Sequence, residues 1–344
     1  MIAHSDGLPL AADGVADVEP GGTFQCDAAQ SRHAQRLRSR SSCAFYQDVI
    51  GLVVTQREDG VLYLRGTEET CHHSLVLRQT AASPTCERVG FRVLDEADLD
   101  RAQAFFAASG RLADFSDAAY QGRTLRLADA GDVPLELCAH MPTQPRRIVS
   151  FARHRGAAAT RIDHVQVHVS NVLAAAVFYA ELGFRISEFA SEDGTEQTPF
   201  RSIFMARKGN ANDIVLLSNT GPRLHHLAYV VHDATATLVR VCDLLASQGQ
   251  KTKVEWGPAR HGLGYEQFLY LHDPDGHRVE LLSPPYQFID LDDEPCGWST
   301  ASEDVRNLWG PDPPKSWLTE ATEFFGIEPR PLVAPSSEAV VARG

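Results

Sequence analysis

The chain contains one pattern of segments twice in the same order, and this repeat limits the folds that it can adopt. Residues 45–52 (FYQDVIGL) match residues 178–184 (FYAELGF), and each predicts the end of an amphipathic helix that stops at glycine before a strand. Later segments also match in order: 89–93 with 227–231, each followed by a predicted helix, and then the predicted hairpins 125–137 and 268–281.

Each copy therefore predicts βαβββ-like units, which can curve a sheet around a cavity. We expect an α+β protein made of two tandem modules, each a pair of βαβββ units, with a metal site in the C-terminal module. The expected divisions are a divergent or poorly ordered N-terminal segment without the opening strand (1–40), a metal-free module (41–147), a catalytic metal-binding module (160–289) and a C-terminal flap or tail (290–344).

Three residues of the second copy form a candidate metal site: His164, His226 and Glu280. Two imidazoles and one carboxylate on one face of a divalent ion are the ligand set of non-haem Fe(II) oxygenases. The three residues are far apart in the sequence, so only the fold can bring them together. The equivalent positions of the first copy are Ser31, Arg88 and Glu136, a set that cannot bind a divalent ion, so we expect one metal per chain.

Composition excludes several classes of partner. The formal net charge of -13 argues against nucleic acid and against an anionic membrane surface. No apolar run approaches the roughly 20 residues of a membrane helix, and the N-terminus lacks the order of a secretion signal. Seven cysteines without CxxC spacing indicate reduced thiols, so we expect a cytoplasmic protein.

The motifs around these ligands resemble those of a known family. They include 257–262 (GPARHG), 270–280 (YLHDPDGHRVE) and 314–321 (PKSWLTEA). Together they resemble type I extradiol ring-cleaving dioxygenases of the vicinal oxygen chelate superfamily, and in particular the catechol 2,3-dioxygenase and homoprotocatechuate 2,3-dioxygenase branch. The resemblance extends over about residues 42–325.

The resemblance implies a function and a role for each matching residue. His164, His226 and Glu280 would bind Fe(II), or less often Mn(II), and His261 and Tyr270 would be catalytic side chains beside the metal. The reaction would open the ring of a catecholic substrate with O2 to give a muconic semialdehyde-type product. The family also implies a homo-oligomer, either a dimer or a tetramer.

One departure from the family pattern concerns proton transfer. Asn212 occupies the position where the family carries an acid-base histidine. An amide can donate and accept hydrogen bonds, but it cannot take up and return a proton near neutral pH. His168, four residues after His164, is expected on the same strand face and could partly compensate.

Other departures concern the substrate. Trp256 stands where homoprotocatechuate enzymes carry an arginine, and Arg306 retains one later basic position. Phe204 replaces the usual tryptophan, and Gln166 replaces the usual asparagine. A pocket that loses a cation and gains an indole is expected to favour a neutral, bulkier or more apolar catechol.

Two other functions are compatible with the sequence. The first is a metal-dependent isomerase or lyase of the same superfamily, in which Asn212 is an adaptation. The second is a non-catalytic protein that binds an aromatic ligand. The presence of all three ligands with His261 and Tyr270 favours an enzyme. His225, next to a ligand, is expected to point to the opposite face of its strand.

Overall fold

The computed structural model describes residues 26–27, 33–37 and 40–333, and their strands form two mixed sheets. The strands of the first sheet, in chain order, are β1 Cys26–Asp27, β2 His33–Leu37, β3 Val53–Glu58, β4 Val61–Arg65, β5 Leu75–Gln79, β6 Cys86–Val93, β7 Ala113–Ala118, β8 Gly122–Ala128 and β9 Pro134–Cys138. Those of the second sheet are β10 Arg161–Val169, β11 Arg185–Ser191, β12 Phe200–Ala206, β13 Ile214–Ser218, β14 Arg223–Val230, β15 Val254–Arg260, β16 Gln267–His272, β17 Arg278–Leu282, β18 Cys296–Ser299 and β19 Thr322–Glu323.

Helices follow the first strand of each unit. The α-helices are α1 Arg40–Ala44, which continues as a π-helix over Phe45–Val49, α2 Glu96–Ala108, α3 Val172–Glu181, α4 Ala234–Ser247 and α5 Lys315–Thr319. Two of them begin at side-chain caps: Asp95 accepts a hydrogen bond from Asp98 N, and Asn171 accepts one from Ala174 N. Such caps satisfy N–H groups that have no partner within the helix.

The strand order confirms the predicted paired βαβββ units. In every unit the first strand pairs in parallel with the last: β2 with β5, β6 with β9, β10 with β13 and β14 with β17. The two units of a module then meet through an antiparallel pair, β2 with β6 or β10 with β14. The α+β architecture of two tandem modules is therefore as expected.

The first sheet begins earlier than the sequence analysis predicts. Residues 33–37 form β2, which pairs with both β5 and β6, so the expectation that residues 1–40 lack the opening strand is wrong for this segment. A strand with two hydrogen-bonded neighbours forms through those neighbours, even where its own sequence lacks alternating apolar residues. Ser31, the predicted counterpart of His164, lies outside the described residues.

Reciprocal contacts join the two modules. The Tyr46 hydroxyl of the first module donates to Asp273 Oδ2 of the second over 3.1 Å. The Tyr179 hydroxyl of the second module donates to Asp129 Oδ2 of the first over 3.0 Å. Apolar residues of both modules also share one continuous buried cluster, hereafter the main core.

The residues after the last strand of the repeat return to the second sheet. β18 pairs in parallel with β11, and β19 pairs antiparallel with Arg223 and Leu224 of β14. Within the part of the chain that the structure describes, no helix is both long enough and apolar enough to span a membrane.

Candidate metal centre

Alternation along the central strands places the three predicted ligands on one face of the second sheet. On β10, Val165 and Val167 belong to the main core, so His164 faces away from it. On β17, Val279 and Leu281 belong to the main core, which leaves Glu280 on the same side as His164. We call this side the site face.

The three ligand side chains converge there. One ligand atom from each of His164, His226 and Glu280 lies within 4.8 Å of the others. His226 Nε2 is 3.1 Å from both His164 Nε2 and Glu280 Oε2, and all three residues are buried. The fold therefore brings together residues that are far apart in the sequence.

The protonation of His226 and Glu280 suits a divalent cation. Burial lowers the pKa of His226 to about 4, so its ring is neutral near pH 7. Burial alone would raise the pKa of Glu280, but the neighbouring imidazoles of His226 and His261 hold it below its usual range. Metals bind neutral imidazole and ionised carboxylate. The donor set therefore fits an ion that prefers nitrogen and oxygen ligands.

The first module has an ion pair at the corresponding place. In the strand register, Gly90 pairs with Glu136 and Ala228 pairs with Glu280. Gly90 and Ala228 are therefore equivalent positions of the two modules. Arg88 therefore occupies the position of His226, and its Nε lies 3.8 Å from Glu136 Oε2. A guanidinium is thus present where the second module has the candidate ligand His226.

His225 does not point to the opposite face, so the expectation for this residue is wrong. Leu224 and Leu227 both belong to the main core, although strict alternation would separate core positions by two residues. The register with β10 shifts here, because His226 pairs with Gln166 whereas Leu224 pairs with Val167. This β-bulge gives the strand one extra residue, and His225 Nδ1 lies 2.7 Å from His226 Nδ1.

Residues 315–323, hereafter the docking segment, contact the bulge. His225 Nε2 lies 2.8 Å from the carbonyl oxygen of Trp317. The Arg278 guanidinium donates to the carbonyl oxygens of His225, Ser316 and Glu320. None of these roles was predicted, although two adjacent histidines between core leucines are a sequence signal for a bulge.

His261 and Tyr270 lie beside the ligands. His261 Nε2 is 3.1 Å from the Tyr270 hydroxyl and 3.6 Å from Glu280 Oε1. Its Nδ1 lies 2.5 Å from the Arg306 carbonyl oxygen, which can only accept, so Nδ1 carries a proton. Burial and the Glu280 charge raise the pKa of Tyr270 well above its usual value, so its hydroxyl stays protonated.

Asn212 and His168 contact different histidines. The Asn212 amide nitrogen lies 3.3 Å from His164 Nδ1, which is also 3.0 Å from Asp163 Oδ2. The His168 ring lies 5.0 Å from that of His225, and burial lowers its pKa to about 3. His168 is therefore uncharged near neutral pH and packs beside the bulge.

The four remaining candidate residues differ in position. Gln166 and Phe204 alternate with core residues, so both lie on the site face. Trp256 is buried, stacks on Tyr270 at 5.5 Å and donates its indole N–H to the Pro311 carbonyl oxygen. Arg306 is exposed and contacts the site through its backbone carbonyl.

Two buried carboxyl groups were not predicted. Glu188 Oε1 on β11 accepts a hydrogen bond from Gly264 N in the loop between β15 and β16, so segments from distant parts of the strand order are in contact. Glu266 Oε1 has no hydrogen-bond partner among the described residues. Burial, with the nearby charges of Asp163 and Glu280, raises the pKa of Glu266 well above its usual value.

Comparisons with known proteins identify relatives over most of the chain. The manganese-dependent 2,3-dihydroxybiphenyl 1,2-dioxygenase of Geobacillus genomosp. 3 is 26% identical over 292 residues, which cover 78% of this chain and 89% of the relative. A metapyrocatechase of Pseudomonas sp. (strain CF600) is 27% identical over 266 residues, 72% of this chain and 82% of the relative.

A solved structure shares the whole architecture. The homoprotocatechuate 2,3-dioxygenase of Arthrobacter globiformis superposes with a TM-score of 0.85 at 27% identity, over 92% of this chain and 98% of that protein. The resemblance to extradiol dioxygenases is therefore confirmed. A family model also matches residues 38–137 and 161–281, so the chain belongs to the Glyoxalase/Bleomycin resistance protein/Dioxygenase superfamily.

Proposed function

We propose that this protein is a metal-dependent extradiol dioxygenase that opens the ring of a catecholic aromatic with O2, giving a muconic semialdehyde-type product. The carrying observation is the convergence of His164, His226 and Glu280 within 4.8 Å, in a chain whose relatives are named as such dioxygenases. Fe(II) is the proposed ion, and Mn(II) is the alternative because one relative is named as manganese-dependent.

The three ligands would hold the ion from one side. Two neutral imidazoles and one carboxylate would leave a divalent ion with a net positive charge, which favours anionic oxygen ligands. When bound, the metal supplies adjacent positions for both catechol oxygens and O2 and favours the ionised catechol. Asp163 accepts from His164 Nδ1, which directs His164 Nε2 toward the ion.

We propose that His261 and Tyr270 serve in proton transfer. Because His261 Nδ1 donates to the Arg306 carbonyl oxygen, its Nε2 is the ring atom that can accept a proton from the bound catechol. The protonated Tyr270 hydroxyl, 3.1 Å away, can donate a hydrogen bond to a substrate oxygen or to Nε2. A positioned acid-base pair of this kind commonly contributes roughly 10²–10⁴-fold in rate.

The substrate is proposed to be a neutral or apolar catechol. Trp256 brings an indole next to Tyr270, where an arginine would provide a cation. Phe204 and Gln166 contribute an apolar and an uncharged polar side chain to the site face. The exposed Arg306 offers its backbone to His261, so a substrate carboxylate would have no guanidinium from this residue beside the ring.

Reconstitution tests the proposal. Metal-free protein is loaded anaerobically with Fe(II) or Mn(II) and mixed with air-saturated buffer and a panel of catechols, while O2 uptake and yellow product are followed. We expect turnover that is lost in Glu280→Gln. The matched control is Glu136→Gln, which changes the equivalent residue of the first module and should leave turnover within a few-fold of wild type.

Other outcomes would favour the two alternatives. Metal binding without O2 uptake on any catechol would favour an isomerase or lyase of the same superfamily, in which Asn212 is an adaptation. An absence of metal binding with retained affinity for aromatic ligands would favour a non-catalytic binding protein. A cytoplasmic location and a homo-oligomeric state are further proposals, which rest on cysteine usage and on family resemblance.

A further inference from the structure

The docking segment is attached to the strand that carries His226. The carbonyl oxygen of Trp317 contacts His225 Nε2, and Arg278 binds the carbonyl oxygens of Ser316 and Glu320. Carbonyl groups near a helix end lack intrahelical partners, so the carbonyls of Trp317 and Glu320 at the end of α5 obtain their partners from this strand and from its neighbour. The Trp317 ring also packs at 4.9 Å from the His225 ring.

These contacts determine which ring nitrogens carry protons. A backbone carbonyl only accepts hydrogen bonds, so the contact with Trp317 requires the proton of His225 on Nε2. In the neutral ring Nδ1 is then an acceptor, and its partner, His226 Nδ1, must donate. The lone pair of His226 is thereby on Nε2, the atom that faces the other two ligands.

Without an ion, this arrangement conflicts with Glu280. The Glu280 carboxylate lies 3.1 Å from His226 Nε2 and only accepts, so it favours the proton on Nε2. His226 has one proton when neutral and cannot donate it both to Glu280 and to His225. An ion at Nε2 removes the conflict, because it takes the lone pair and leaves the proton on Nδ1.

We propose that His225 is a positioning residue through which metal binding and attachment of the docking segment strengthen each other. This inference rests on the metal site of the proposed function and extends it to residues 315–323. Coupling between two sites is reciprocal. If the attached segment raises the affinity for the metal, the metal must reduce opening of the segment by the same factor.

Two measurements on the full chain test the coupling. Affinity for Mn(II) alone is measured from the electron paramagnetic resonance signal of the free ion, and hydrogen exchange of residues 315–323 is measured with and without Mn(II). We expect His225→Leu to weaken Mn(II) binding roughly 10–100-fold, as is typical when the partner of a metal-binding histidine is removed. In wild type, Mn(II) should slow exchange in the docking segment by a similar factor, and in His225→Leu it should not.

Two further variants distinguish coupling from a general loss of structure. His225→Gln can donate to Trp317 and accept from His226, so it should bind Mn(II) within a few-fold of wild type. His154→Gln is the control, because the His154 ring contacts a backbone carbonyl, that of Arg147, in the linker before the second module. It should change neither measurement.

The outcomes separate the two proposals. Equal Mn(II) affinity in His225→Leu and wild type, or wild-type exchange of residues 315–323 that is insensitive to Mn(II), would overturn the coupling and leave the proposed function standing. Coupling without turnover of any catechol would overturn the proposed function alone. A wild-type chain that binds no divalent ion would overturn both.

Discussion

Asn212 is the residue that most clearly separates this site from a conventional acid-base arrangement. Its amide is buried and contacts the back of the ligand His164, so it can orient that ring but cannot carry a proton. The His168 ring packs beside that of His225, at 5.0 Å. His261 is the remaining candidate base, since its Nε2 faces Tyr270 and Glu280.

Substituting Asn212 tests this interpretation. We expect Asn212→His to raise kcat on simple catechols by roughly 10²-fold, because general acid-base assistance commonly provides at least that much. The pH profile of the variant should gain a limb near the ordinary histidine pKa of about 6.5. Steady-state O2 uptake across the neutral pH range measures both effects. An unchanged rate would indicate that His261 and Tyr270 already supply the proton transfer.

For single residues, the sequence predicts the convergence of the three candidate ligands well and the contacts that support them poorly. His164, His226 and Glu280 could be predicted because each lies in a distinctive local motif. The side of His225 was predicted wrongly, because a bulge shifts the alternation of a strand by one residue and depends on pairing with its neighbour. Glu266 could not be predicted, because the burial of a carboxyl oxygen is not visible in a sequence.

Among the elements, the loop between β15 and β16 is held against the turn at Glu303–Val305. Gly262 lies in this loop, and an added Cβ there would lie 2.1 Å from the Asp304 carbonyl oxygen. Its backbone is in the right-handed region, so the need for glycine comes from close packing. The neighbouring contact from His261 to the Arg306 carbonyl oxygen depends on the same approach.

Gly262→Ala should therefore separate the loop from the turn. We expect a loss of about 1–3 kcal/mol in the free energy of unfolding, as is usual for overpacking, and a lower kcat as His261 moves. Gly209→Ala is the matched control, because its added Cβ would meet only a flexible Ile289 side chain, at 3.3 Å. Urea unfolding and O2 uptake measure the two effects. Equal behaviour of both variants would contradict the packing argument.

The elements of the second module are easier to predict than the opening strand of the first module. β10 contains the alternating residues Val165, Val167 and Val169, which predict a strand. Residues 33–37 contain a histidine and an arginine among their few residues, and only their pairing with β5 and β6 makes them a strand. Pairing partners that are distant in sequence cannot be recognised from local composition.

On the scale of the whole molecule, each module has one tyrosine that contacts a turn of the other module. Tyr46 reaches the turn at Asp273, and Tyr179 reaches the turn at Asp129. Each aspartate also accepts backbone N–H groups of its own turn, so each contact fixes a turn and an interface together. These contacts join equivalent positions of the repeat, but a repeat in sequence does not reveal how two modules face each other.

The Asp129 contact predicts a pH dependence of stability. Burial raises the pKa of Asp129 from 3.8 to about 6, so the folded protein binds a proton more tightly than the unfolded chain. Its contribution to stability is therefore greatest below about pH 4 and decreases as the pH rises through about 6. Asp129→Asn should gain about 1–3 kcal/mol relative to wild type at about pH 8 and lose this advantage near pH 4.

Urea unfolding at a mildly alkaline and a mildly acidic pH measures the difference. The amide that replaces the Asp129 carboxyl group would still accept the two turn N–H groups through its oxygen, so the turn is retained. The exposed Asp117→Asn serves as the control and should show no such change between the two pH values. A stability difference for Asp129→Asn that is constant across pH would contradict the predicted titration.

The ion pair between Arg88 and Glu136 has a consequence for how the molecule responds to metal supply. In the first module the positive charge opposite the buried glutamate is part of the polypeptide, so it is present as soon as the chain is synthesised. Under the proposed function, the corresponding charge in the second module is that of a metal ion, which the protein has to bind from solution. In cells short of iron or manganese, molecules would therefore have the positive charge opposite the glutamate of the first module but lack the one opposite the glutamate of the second.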